Sequence, residues 1–120
     1  VEQDRPADGT LQITVAPTGA DGARVAVVGE VDYLTAPRLK AQLWWVLAEF
    51  DPREIVVDLS GVGFLDSTGR GTLLHGWRLA QRKKCQLSVV DPQPRVLAML
   101  RIAGVAGHLG LDAAAPGGLG

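Results

Sequence analysis

The order of apolar patterns predicts an α/β domain with a mixed sheet of about four strands and helices packed on it. Short alternating or β-branched runs recur along the chain, and apolar residues at helical spacing separate the later ones. The first two strand runs are instead joined by turn residues alone. A parallel crossover needs a helix and a tight turn makes an antiparallel hairpin, so the order β-β-α-β-α-β-α predicts both pairings in one sheet. At 120 residues the chain has the length of one ordinary domain.

Leu11, Ile13 and Val15 alternate with Gln12, Thr14 and Ala16, the period-two pattern of a half-buried strand. Pro17-Thr18-Gly19-Ala20-Asp21-Gly22 is turn chemistry, and residues 24–28 form the second arm of a hairpin. Thr35 is placed to cap a helix entered through Pro37. Leu39, Leu43, Val46, Leu47 and Phe50 make its core stripe. Trp44 and Trp45 fall to either side of that stripe. They either cover neighbouring elements or face a partner, since Trp is enriched at binding hot spots. Asp51-Pro52 ends the helix.

Residues 55–59 are a β-branched run that suits a strand covered on both faces, and 60–66 read as a glycine-containing loop. A second helix starts near Ser67 with Leu73, Trp77 and Ala80 inward and Leu74 at the edge. Arg78, Arg82, Lys83 and Lys84 close it, where cations complement the negative end of the helix dipole. Residues 86–90 form the fourth strand. Asp91-Pro92-Gln93-Pro94 opens a third helix through Ala103, with Gly104 as its stop. Residues 105–111 add a short final element. The domain is expected over 10–111, with an extension at 1–9 and a flexible tail at 112–120.

Composition narrows the function. The chain is 47% apolar and 21% charged with a net charge of −1, which argues against disorder and against coating DNA through bulk positive charge. No direct nucleic-acid contact is expected. Charge is unevenly spread, at −6 over residues 1–66 and +5 over 67–120. Cys85 is the single cysteine and cannot form an internal disulfide. No run approaches the ~20 apolar residues of a membrane span, and the first residues lack a basic-then-apolar signal pattern. A cytoplasmic location without membrane insertion is expected.

Catalytic sets are missing. Ser67 lacks the leading glycine of a nucleophile elbow, and His75 lies ~12 Å further along the same helix. His108 reads as a surface or satisfied histidine. Gly61-Val62-Gly63 continues into Phe64-Leu65-Asp66, so no dinucleotide fingerprint is completed. Glu30, Asp32, Asp58 and Asp66 lie near strand ends, where carboxylates usually serve local hydrogen bonds, and no metal or other cofactor is assigned. The chain is read as a binding protein and not an enzyme. Ser67 remains. At the start of a helix a serine is commonly an N-cap. The same place tolerates a phosphate through free N–H groups and the positive dipole end, which suits a switch.

Gly29-Glu30-Val31-Asp32, followed by Val57-Asp58-Leu59-Ser60-Gly61-Val62-Gly63-Phe64-Leu65-Asp66-Ser67-Thr68-Gly69, resembles the sulfate transporter and anti-sigma factor antagonist (STAS) domain. Val96-Leu97 and Leu100-Arg101-Ile102-Ala103-Gly104-Val105 resemble the last helix of that family. The likeness covers roughly 10–111. It implies a bacterial regulator of the stand-alone antagonist type, which binds an anti-sigma factor that is itself a serine kinase and so frees a sigma factor. Phosphorylation of Ser67 would dissolve that complex and a phosphatase would restore it, with ATP and Mg²⁺ belonging to the kinase. The partner surface implied is Glu30, Asp32, Asp66, Ser67, Thr68, Gly69 and Arg70, with Asp32 and Asp66 near the phosphosite. Arg70 departs from the apolar residue usual in that family. Standing i+3 from Ser67, it either faces the serine or is a plain surface arginine. The resemblance also allows a second role, a scaffold subunit docked on the ATPase of a lipid-trafficking membrane transporter. Trp44 or Trp45 would serve a homodimer.

Overall fold

The computed structural model describes residues 11–111, so the extension expected at 1–9 and the tail at 112–120 lie outside the described residues. The elements are β1 (Gln12–Thr18), β2 (Gly22–Val31), α1 (Ala36–Glu49), β3 (Glu54–Leu65), α2 (Ser67–Arg82), β4 (Gln86–Val90) and α3 (Pro94–Ile102). They form one four-stranded sheet in the order β1-β2-β3-β4. β1 pairs antiparallel with β2, and β2–β3 and β3–β4 are parallel. This is the mixed sheet that the turn and the two helical crossovers require.

Alternation along the strands decides where the core lies. Val25, Val27, Ile55, Val57, Leu87 and Val89 are buried, and their side meets Leu39, Leu43, Val46 and Leu47 of α1 and Leu73 and Ala80 of α2 in one cluster. The alternate residues Arg24, Ala26, Val56, Asp58, Ser88 and Val90 are only half-buried. The third strand is therefore not covered equally on both faces. On the more open face Arg24 Nη2 donates to Asp58 Oδ2 at 2.8 Å, and Ser60 N–H donates to Asp58 Oδ1 at 2.8 Å. Burial works to raise the Asp58 pKa, but the Ser60 hydrogen bonds and the Arg24 guanidinium outweigh it and hold the carboxyl below its ordinary value.

Pairing carries β3 well past the expected strand end. Residues 60–65 continue as strand, with Val28 opposite Gly61, Glu30 opposite Phe64 and Val31 opposite Leu65, across two register irregularities. Glycine inside this strand marks a close backbone approach and not a loop. A Cβ on Gly61 would lie 2.8 Å from Val28 Cγ2 and 3.0 Å from the Val27 carbonyl oxygen. Residues 105–111 form turns in place of the expected final element, and Val89 N–H donates to the Leu109 carbonyl at 2.9 Å on the outer side of β4.

Two expectations for α1 change. Thr35 stands at the N-cap, but its hydroxyl does not cap the helix. It donates to the Glu30 carbonyl at 2.7 Å and accepts from Asp32 N–H at 3.0 Å, closing the preceding turn. Phe50 follows the helix and is 55% exposed, so the buried stripe ends at Leu47. Its ring meets Trp45 edge-on at 5.0 Å, while Trp44 and Trp45 remain 58% and 43% exposed. The tryptophans are thus surface residues, with Trp45 partly sheltered by Phe50.

Cys85 is buried behind α2, and desolvation, with Asp51 and Glu54 nearby, pushes its thiol up to about 11. At pH 7.5 its thiolate fraction is about 100-fold below that of an exposed cysteine. Alkylation of the folded chain by iodoacetamide is expected to be slower by two to three orders of magnitude. Alkylation in 6 M guanidinium provides the reference rate.

Candidate functional site

The carboxyl ends of β2 and β3 bring the two sequence motifs together. Asp66 N–H donates to the Val31 carbonyl at 3.1 Å, which fastens the start of α2 to the end of β2. The chain then turns into α2 with Asp66, not Ser67, as its N-cap. Asp66 is extended at φ −99°, ψ −169°, and its Oδ1 accepts from Thr68 N–H at 2.9 Å and Gly69 N–H at 3.0 Å. The Thr68 hydroxyl donates to the same oxygen at 2.5 Å. One carboxylate thereby satisfies two helix donors that would otherwise lack partners.

This division of labour leaves Ser67 unoccupied. Ser67 is the first helical residue, it is exposed, and its hydroxyl makes no hydrogen bond among the described residues. The expected reserve of free N–H groups is smaller than the sequence implies, because the Asp66 carboxylate already takes those of Thr68 and Gly69. A group added to the Ser67 oxygen therefore projects outward, beside a negative neighbour. Gly69 is buried beneath it. Arg70 is half-buried, its N–H donates to the Asp66 carbonyl at 2.9 Å, and its guanidinium forms no ion pair among the described residues.

The Thr68 hydroxyl first, and the Gly69 and Thr68 backbone N–H groups after it, hold the Asp66 carboxyl below its ordinary value against a desolvation effect that raises it. A depressed carboxylate contributes stability that is fully present above the unfolded-state value and lost as pH falls through the folded-state value. The ionised cap is therefore expected to weaken on acidification below about pH 4. Asn also caps helices but does not titrate. Thermal melts from pH 7 to pH 2 should show wild type losing stability relative to Asp66→Asn in that acid window, and parallel curves would refute the assignment.

The carboxylates expected near the site are held separately. Asp32 is half-buried in the turn after β2, where its Oδ1 accepts from Leu34 N–H at 3.0 Å, Thr35 N–H at 3.1 Å and the Thr35 hydroxyl at 3.2 Å. Glu30 is exposed one strand away. Asp58 is turned to Arg24. Among the described residues no group of three or more His, Cys, Asp or Glu side chains is arranged to hold a metal ion.

The fold adds residues that the sequence reading missed. Tyr33 is 68% exposed, Leu34 71% and Phe64 43%, all on the segments that flank the Asp66 cap. Exposed apolar groups at a rim of polar side chains are the usual make-up of an interaction surface. A signal was present. Tyr33-Leu34 occupies a turn, where polar or small residues are the rule, and Phe64 looked unremarkable only because its segment read as loop.

The family described as "Mlab, STAS domain" matches residues 14–111. The chain is 28% identical over 81 residues to the anti-sigma F factor antagonist of Paenibacillus polymyxa, covering 68% of this chain and 69% of that one. An anti-sigma factor antagonist from Mycobacterium paratuberculosis superposes with a TM-score of 0.74 at 28% identity, over 84% of each chain. The anti-sigma factor antagonist SpoIIAA shares the fold in its unphosphorylated form, with a TM-score of 0.71 at 17% identity over 80% of this chain and 84% of that one. The phosphorylated form gives 0.66 at 16% identity over 82% and 87%. The family match runs from the first strand past the last helix and takes in both motifs, so the chain belongs to the STAS-domain family.

Proposed function

We propose that this chain is an anti-sigma factor antagonist, which binds an anti-sigma factor through the surface around the head of α2 and loses that partner when Ser67 is phosphorylated. The observation that carries the reading is the free, exposed Ser67 hydroxyl at a helix start already capped by Asp66. A hydroxyl with no structural duty can be modified and restored without dismantling the fold. The names of the relatives support the partner class, and SpoIIAA exists in both phosphorylation states on this fold.

The anti-sigma factor is the serine kinase, a separate phosphatase reverses its action in the cytoplasm, and ATP and Mg²⁺ are bound by the kinase. This chain recognises and does not catalyse. Ser67 accepts the phosphoryl group, Thr68 and Asp66 keep the helix start in place, and Tyr33, Leu34 and Phe64 supply apolar contact around it. Glu30, Asp32 and Arg70 add charge, with Gly69 keeping α2 close to the sheet.

Isothermal titration of the anti-sigma factor from the same genome tests this. Wild type and Ser67→Ala should bind alike, and Ser67→Asp at least tenfold more weakly. Equal binding by all three rejects the switch. Co-purification with the ATPase of a membrane transporter, with no phosphate incorporated at Ser67, would instead support the scaffold role.

A further inference from the structure

We infer that the groove between α1 and α2 receives an acidic segment of the protein that binds at Ser67, an inference that rests on the function proposed above. The groove holds about 520 Å³ and is lined by Tyr33, Lys40, Thr68, Gly71, His75 and Arg78 among others. Its cations come from both walls, Lys40 from α1 and Arg78 from α2, and no carboxylate lines it. Gly71 in the lining is exposed, and a Cβ built on it meets nothing within 4 Å, so the groove is unfilled at that point.

The placement of these cations is the main argument. Three cations elsewhere are neutralised locally, Arg24 on Asp58 at 2.8 Å, Arg53 on Asp21 at 3.5 Å and Lys83 on Asp51 at 3.9 Å. Arg38 is spent on the Leu11 carbonyl. Lys40 and Arg78, like Arg70, Arg82, Lys84 and Arg95, have no ion-pair partner among the described residues, but of these six only Lys40 and Arg78 line the groove, and both are exposed. Like charges gathered in a concave site raise the local potential and favour a ligand of opposite sign. Their complement is a run of Asp and Glu.

Continuity with the switch is the second argument. Thr68 lines the groove and also donates its hydroxyl to Asp66, so the groove opens beside Ser67. A phosphoserine there adds about −1.5 to −2 charges at the mouth. The group that the kinase adds then repels the same carboxylates that Lys40 and Arg78 attract. One electrostatic element would set both the affinity of the unmodified chain and its loss on phosphorylation.

The probe is a fluorescein-labelled dodecapeptide of alternating Asp and Glu, titrated into the full ¹⁵N-labelled chain. Amide shifts are expected at Lys40, Gly71, Thr72, His75 and Arg78, with affinity falling steeply from 50 to 300 mM salt. Lys40→Glu/Arg78→Glu should weaken the peptide at least tenfold, and Lys83→Glu/Lys84→Glu should leave it within twofold. Shifts centred on 82–84, no binding at low salt, or a charge reversal without effect would each overturn the inference. Melting curves of both double variants establish that they fold. With the anti-sigma factor as ligand, the two readings separate. Full binding by Lys40→Glu/Arg78→Glu that still responds to Ser67→Asp sinks the groove alone, whereas groove-dependent binding indifferent to Ser67→Asp sinks the switch alone.

Discussion

Phosphorylated at Ser67, the chain is expected to bind its partner one to three orders of magnitude more weakly than the unmodified chain, with little change in melting temperature. The magnitude follows from charge. Unit charges ~4 Å apart interact by about 1 kcal/mol in water and about 4 kcal/mol near a protein surface. A phosphate brings about −1.5 to −2 charges, and each ~1.4 kcal/mol is a tenfold change in affinity. Desolvation of the phosphate at a closed interface acts in the same direction.

The fold should barely register the same charge. Ser67 is exposed, so its repulsion by Asp66 is screened and amounts to about 1 kcal/mol or less. Calorimetry of the chain carrying phosphoserine at position 67, beside titration of the same sample, reads both quantities. A drop in melting temperature large enough to account for lost binding would mean that phosphorylation unfolds the head of α2, and the surface-repulsion account would fail.

Two glycines two residues apart in α2 should respond to alanine with opposite signs. A Cβ on Gly69 would sit 2.8 Å from Val31 Cγ1, 3.0 Å from Leu65 Cγ and 3.0 Å from the Val31 carbonyl oxygen. That oxygen cannot swing aside, because it accepts from Asp66 N–H and so holds the helix start to the sheet. Overpacking of this kind costs about 1–3 kcal/mol, and it strikes the hydrogen bond that fastens the start of α2 to the end of β2. Gly71 has open space where its Cβ would go. There alanine removes only the backbone freedom of glycine, and Gly71→Ala should stabilise by about 0.5–1 kcal/mol. Urea unfolding measures both. Gly69→Ala as stable as wild type would show that α2 is not pressed against β2 at this point.

Legibility of the site divides along the same line. The periodicity of 11–15 and 86–90 and the helical spacing of Leu39, Leu43, Val46 and Leu47 announce their elements, because burial of a repeating face is a local property of the chain. Ser67 opens α2 where its neighbours indicate. Residues 60–65 do not announce a strand. Their glycines look like turn chemistry until Val28 and Glu30 of β2 are alongside to pair with them. Phe50 fits the helical stripe by spacing alone, yet the helix ends one residue before it and its ring turns to Trp45.

By itself the sequence determined the element order, the aliphatic core and the motif at the head of α2, since each depends on residues near one another in the chain. Tertiary structure alone decided that Asp66 and not Ser67 caps the helix, that Thr35 closes a turn in place of capping, and that Tyr33, Leu34 and Phe64 are left exposed on the segments leading into α1 and α2. Lys40 and Arg78 are 38 positions apart and become neighbours of one groove only when α1 and α2 pack together. Hydrogen-bond partners and local potential depend on what the fold brings within a few ångströms, and no pattern along the chain encodes that distance.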